Sequence, residues 1–136
     1  MQYSFQDNPE FHVWDQSSYD SIDVDAQYQN SWMARYLTPG VRILDIGCGP
    51  GYGVKVLKHH GFEVLGVDLN RALVNRAQAH GLNVIEKDAV EAVREKGEGY
   101  DFFCMSDFVE HVPLEVVFEI CSEVAKMPGK KIFLCT

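Results

Sequence analysis

The sequence predicts an α/β protein built on a doubly wound parallel sheet of about five strands, with helices on both faces. Three observations carry this prediction. Short apolar, β-branched runs alternate with stretches of helical periodicity across residues 41–136. Glycine or proline punctuates most junctions, as in Thr38-Pro39-Gly40, His60-Gly61, His80-Gly81 and Pro128-Gly129. The first apolar run, 41–46, passes directly into Gly47-Cys48-Gly49-Pro50-Gly51, a turn that opens onto a helix. Repeated strand–helix units with connections this short imply parallel strands joined by right-handed crossovers.

The elements follow in order. Residues 1–20 are polar and aromatic, with Pro9 and little periodicity, and read as an arm or short helix. Asp23 and Asp25 open a helix to about Leu37, with Ala26, Trp32, Met33, Tyr36 and Leu37 on its apolar side. Strands are predicted at 41–46, 62–67, 82–86, 100–105 and 131–136. Between them lie helices at about 52–60, 70–80 and 90–96, stopped by Gly61, Gly81 and Gly97-Glu98-Gly99. Pro113 suits the first turn of a longer helix to 126, whose buried stripe is Val116, Val117, Ile120, Cys121 and Val124. The chain thus divides into an N-terminal arm and helix, 1–40, serving as a lid, and a ligand-binding domain, 41–136.

Composition bounds the function. With 136 residues and 46% hydrophobic content the chain suits one packed domain. A net charge of −8 with scattered basic residues disfavours nucleic acid, whose affinity rests on phosphate contacts. No window approaches the ~20 apolar residues of a membrane span, and the N-terminus has no signal-peptide pattern. Cys48, Cys104, Cys121 and Cys135 form no C-x-x-C pair, so reduced thiols and a cytoplasmic location are expected.

The glycine turn carries the chemistry. Backbone at Gly47, Gly49 and Gly51 can approach a ligand closely, and the helix opening at Tyr52 directs free N–H groups into the same turn. The dinucleotide pattern G-x-G-x-x-G fails at its third place, which is Tyr52. The pattern is instead Asp45-x-Gly47-x-Gly49-x-Gly51. A carboxylate at the strand end repels a pyrophosphate but suits a ligand bearing an ammonium group, such as S-adenosylmethionine.

In Leu44-Asp45-Ile46-Gly47-Cys48-Gly49-Pro50-Gly51 the sequence resembles the class I S-adenosylmethionine-dependent methyltransferases, especially the small-molecule branch with an LDIGCGxG first motif. The resemblance implies a Rossmann-like sheet of order 3-2-1-4-5, a cofactor of S-adenosylmethionine with S-adenosylhomocysteine as product, and a small-molecule acceptor methylated on oxygen or nitrogen. It covers residues 41–136, the cofactor-binding half of a fold that normally adds strands six and seven. Those strands are expected to be missing, leaving the fifth as a bare apolar edge. A longer native polypeptide or a second copy would cover it, and the 136 residues are expected to bind cofactor but turn over poorly alone.

In an open parallel sheet ligands bind beyond the carboxyl ends of the strands. Asp68, with Leu69, follows the second strand at the offset of an acid that accepts from ribose hydroxyls; a helix N-cap is the competing reading. By resemblance, Asp88 accepts from the adenine amino group and the backbone of Ala89 donates to the ring; a capping aspartate is the alternative. The segment Tyr100-Asp101-Phe102-Phe103-Cys104-Met105-Ser106-Asp107-Phe108-Val109-Glu110-His111-Val112 resembles the family's FDxVxxxxxxEHV stretch. It places Ser106 and Asp107 beside the methionine portion and Phe108 in the pocket wall. His111 suits a general base if the acceptor must lose a proton, and equally a structural histidine before Pro113. Cys48 is in the cofactor turn because a small side chain is needed there. Trp14, Tyr19, Tyr28, Trp32 and Tyr36 are aromatic candidates for a lid, with plain packing the competing reading; Tyr19 and Tyr28 are the expected lid residues. His12, His59, His60 and His80 show no metal-ligand spacing with the cysteines, so no metal is expected. Two other readings compete: a non-catalytic S-adenosylmethionine-binding module and an NAD-type Rossmann domain.

Overall fold

The computed structural model describes residues 19–106 and 108–135. The expectations for the arm before Tyr19, for Asp107 and for Thr136 lie outside the described residues. Five strands, β1 (Arg42–Ile46), β2 (Glu63–Asp68), β3 (Val84–Glu86), β4 (Phe102–Ser106) and β5 (Lys131–Cys135), form one sheet of order β3-β2-β1-β4-β5. Every pairing is parallel. The central strand is held in register by Leu44 opposite Leu65 on one side and Phe103 on the other.

Successive side chains of a strand point to opposite faces, and both faces here are covered. On one face Leu44, Ile46, Leu65, Val67, Phe103 and Met105 form a core with helices α5 (Ala89–Lys96) and α6 (Leu114–Ala125). On the other, Ile43, Val64, Phe102 and Cys104 pack with α3 (Tyr52–His59) and α4 (Arg71–Ala79). Asp45 belongs to this second face, between apolar neighbours, and is buried. The amino ends of β1 and β4 are tied by Arg42, whose Nε and Nη2 donate to Asp101 at 3.1 and 3.0 Å, while its backbone N–H donates to the same carboxylate at 2.9 Å.

The single helix predicted for 23–37 is two short ones, α1 (Val24–Gln29) and α2 (Trp32–Tyr36). The reason is Ser31, whose hydroxyl accepts from Met33 N at 3.2 Å and donates to Tyr28 O at 2.9 Å, so it closes one helix and caps the next. Asp23 caps α1 by accepting from Ala26 N. The apolar residues then work in two directions: Tyr28 stacks on His60, while Trp32 stacks on Phe133 at 4.3 Å. Pro113 stands at the N-cap of α6 rather than inside its first turn. Among the described residues no helix is long and apolar enough to cross a membrane.

Candidate functional site

A cleft of about 540 Å³ opens at the carboxyl ends of β1, β2 and β4. Its floor is the turn after β1. Gly47 N and Cys48 N both donate to Val67 O, at 2.9 and 3.1 Å, fastening the turn to the end of β2. Gly47 has φ 69°, and a Cβ there would collide with the Phe108 ring. Directly beneath, a Cβ on Gly66 would lie 2.6 Å from Cys48 Sγ, so a glycine inside β2 is required for the turn to settle against the sheet. That second glycine is a requirement the sequence reading missed; its signal was a lone glycine within an apolar strand run.

Asp68 meets the turn from the side. Its Oδ2 accepts from Gly49 N at 2.9 Å and its Oδ1 from Asn70 N at 2.8 Å. The helix cap that competed for Asp68 is taken by Asn70, which accepts from Leu73 N. Burial pushes the Asp68 carboxyl above its ordinary range, opposed by the backbone N–H groups of Asn70, Gly49 and Leu69.

Asp45 lies deeper. The Cys104 thiol donates to its Oδ1 at 3.3 Å. Burial pushes its pKa from 3.8 up to about 7; the Cys104 bond opposes this and the Asp68 charge adds to it. The Cys48 and Cys104 thiols are pushed well up, chiefly by burial, so neither offers a thiolate nucleophile near neutrality.

Asp88 caps α5, its Oδ2 accepting from Glu91 N at 3.0 Å, yet it also lines the cleft beside Ala89. Ser106, Phe108 and His111 line the opposite wall. His111 closes a short turn, Val109–His111, with its Nε2 3.7 Å from Glu110 Oε1. The expected residues Gly47, Cys48, Gly49, Tyr52 and Leu69 also line the cleft, whereas Gly51 is buried behind it.

Neither expected lid tyrosine lines the cleft. Tyr19 is fully buried behind the turn, where its hydroxyl donates to Pro50 O at 2.6 Å and its ring stacks on His80 at 3.8 Å. It braces the turn from below. Tyr28 stacks on His60 with ring centroids 4.0 Å apart. The roof is made instead by Gln27, Ser31, Trp32 and Met33. Cys135 and Lys87 are further lining residues that sequence reasoning did not single out.

Comparison with known proteins agrees with this architecture. The methyltransferase domain family matches residues 19–133. The chain is 33% identical over 109 residues to a ubiquinone biosynthesis O-methyltransferase of Hahella chejuensis, covering 75% of this chain and 45% of that protein. It is 36% identical over 104 residues to the protein of the same name from Nitrosococcus oceani, covering 71% and 44%. The chain thus spans less than half the length of these curated relatives. Among solved structures, a SAM-dependent methyltransferase from Archaeoglobus fulgidus superposes with a TM-score of 0.67 at 27% identity, over 90% of this chain and 51% of that one. The magnesium protoporphyrin IX methyltransferase of Synechocystis, at 23% identity and a TM-score of 0.60, covers 98% of this chain and 64% of its own and shares the fold. A five-stranded sheet of order 3-2-1-4-5, an acid–glycine turn at its centre and a family match over most of its length establish that this chain belongs to the class I S-adenosylmethionine-dependent methyltransferase family.

Proposed function

We propose that this chain is the cofactor-binding portion of an S-adenosylmethionine-dependent methyltransferase acting on a hydroxyl or amine of a small molecule. The observation that carries the proposal is the placement of three carboxylates, Asp45, Asp68 and Asp88, at the ends of or just beyond β1, β2 and β3 around one cleft. Their spread matches a ligand with a cation at one end, a diol in the middle and an amino-purine at the other. The residues fit that group. Asp45 offers a buried acceptor for an ammonium, and a Cβ on Gly49 would meet nothing within 4 Å, so the turn leaves open space above it. Asp68 Oδ1 and Oδ2 already accept N–H bonds and retain lone pairs for hydroxyl donors. Asp88 uses Oδ2 for its cap, and its Oδ1 has no hydrogen-bond partner among the described residues.

When bound, S-adenosylmethionine supplies an electrophilic methyl on a sulfonium. The chain's own residues then bind and orient. Asp45, Asp68 and Asp88 would hold the cofactor at three points, leaving the side lined by Ser106, Phe108 and His111 for the acceptor. In-line displacement gains most from such positioning. Trp32 and Met33 roof the cleft and exclude water, and residues 1–40 act in this reading as the cover. In this reading His111, which lines the cleft, takes a proton from an acceptor hydroxyl or ammonium, and a structural role before Pro113 is the alternative. The names of the curated relatives favour oxygen as the acceptor atom.

Calorimetric titration with S-adenosylmethionine, S-adenosylhomocysteine and NAD⁺ tests the cofactor assignment. Saturable binding of the first two and none of the third is expected, and NAD⁺ binding alone would overturn it. Radiolabelled methyl transfer to a panel of hydroxyl- and amine-bearing small acceptors tests the reaction, and its absence alongside tight cofactor binding would favour a binding module.

A further inference from the structure

On the surface beside α1, away from the cleft lining, Asp25, His59 and His60 bring one ligand atom each within 4.8 Å of one another. His60 Nε2 lies 3.3 Å and His59 Nε2 3.6 Å from the same atom, Asp25 Oδ1. From this convergence we propose a zinc-class divalent metal site that fastens α1 to the carboxyl end of α3.

Adjacent residues on a helix diverge by roughly 100° and do not face one another. His59 and His60 nevertheless aim both imidazoles at one carboxylate oxygen. They do so because His59 ends α3 while His60, its C-cap, has left helical geometry at φ −86° and ψ 12°. The rings stand edge to face, 77° apart with centroids at 5.1 Å. An ion pair explains this arrangement poorly, since Asp25 is 74% and His59 52% exposed, and exposed pairs stabilise little.

A tetrahedral zinc ion fits better. With ligand bonds of about 2.0–2.1 Å, the ligand-to-ligand edges are about 3.3–3.4 Å. The two edges to Asp25 are already close to that length. The third closes by rotation of the half-exposed His59 ring. His60 is held by its stack on Tyr28, and Tyr28 lies on α1 one turn beyond Asp25. The site sits at the carboxyl end of α3, where the helix dipole favours a cation. Solvent exposure leaves the fourth position to water, and the ligand set, two imidazoles and a carboxylate, is one that zinc accepts. Coordination by His60 uses the Nε2 now 3.3 Å from Val24 O, so metal takes the place of that contact. Gln27, on the same helix as Asp25, lines the cleft, so a metal clamp here acts on part of the roof. The inference rests on these three side chains and stands whether or not the cleft binds S-adenosylmethionine.

The test is calorimetric titration with Zn²⁺ alone on the wild-type chain and on His59→Ala, His60→Ala and Asp25→Asn. One equivalent should bind saturably. Each variant should lose at least the roughly 10–100-fold in affinity that removing an outer-shell partner of a metal site costs. Long-range ¹H–¹⁵N spectra of the wild-type imidazoles provide a readout that needs no variant: His59 and His60 should shift together at the same Zn²⁺ equivalence. Absence of saturable Zn²⁺ binding, an affinity unchanged in His59→Ala, or shifts confined to other histidines would overturn the proposal.

Discussion

Replacing Asp45 by Asn should raise the stability of the ligand-free protein at alkaline pH while weakening cofactor binding. Asn keeps the shape and an oxygen to accept the Cys104 thiol bond. It removes a charge that the site disfavours because Asp45 is buried and faces Asp68. The Asp45 pKa is raised from 3.8 in the unfolded chain to about 7 in the folded one. A raised folded pKa means that the folded protein holds the proton more tightly. The stabilisation is therefore complete below about pH 4 and is lost as pH rises through about 7. Three pKa units at 1.36 kcal/mol each place the whole effect at roughly 4 kcal/mol, an upper bound. Wild-type melting temperature should fall between pH 5 and pH 8.5, and the Asn variant should show a flatter profile and exceed wild type at the alkaline end. Binding should move the other way: losing a charge-assisted bond worth roughly 1.5–3 kcal/mol weakens affinity for S-adenosylmethionine about 10–150-fold. The two assays are differential scanning fluorimetry across pH and calorimetry at pH 8. Parallel melting profiles together with unchanged affinity would refute both the buried charge and its role.

Three further outcomes follow from other parts of the molecule. Asp68→Ala leaves the Gly49 and Asn70 N–H groups without their acceptor and should weaken S-adenosylmethionine binding at least about tenfold, measured by calorimetry on folded variant. Asp101 is held down to about 2 by the Arg42 guanidinium and its backbone N–H, a stabilisation present above about pH 4 and lost as pH falls through 2. Urea midpoints of wild type and Asp101→Asn should therefore differ at pH 7 and converge near pH 2. Phe103→Ala, at a fully buried position of β4, should cost about 3–5 kcal/mol in denaturant unfolding, and a cost under about 1 kcal/mol would contradict the packing described.

The sheet was legible because its signals are local. A β-branched run followed by a glycine stop fixes a strand and its end, and five such units leave few topologies. Strand order came from the resemblance of the first motif, and the structure agrees with it. Residues near strand ends were legible for the same reason: Asp45, Asp68, Asp88 and Ser106 all line the cleft. What failed was non-local. The Cys104–Asp45 bond joins residues 59 apart and has no sequence signature. The roof is only partly legible: Trp32 is a lid candidate from its aromatic character, but Ala26, Trp32 and Met33 fit one helical stripe, which hides the break that Ser31 makes by capping. Tyr19 and Tyr28, aromatic cover by sequence, each stack on an imidazole instead, His80 and His60, and neither lines the cleft.

The two helices of the roof have six and five residues, far below the roughly 12–15 at which an isolated helix becomes marginal in water. Among the described residues they are held by two caps, ring stacks and a few side-chain contacts with the body. Their opening therefore belongs to the low-energy end of local fluctuations, while opening the central strands requires global unfolding. Amide protons across 24–36 should exchange with deuterium orders of magnitude faster than those of β1. Entry to the cleft is then expected to follow local opening of these helices, a faster event than unfolding of the strands that form its floor.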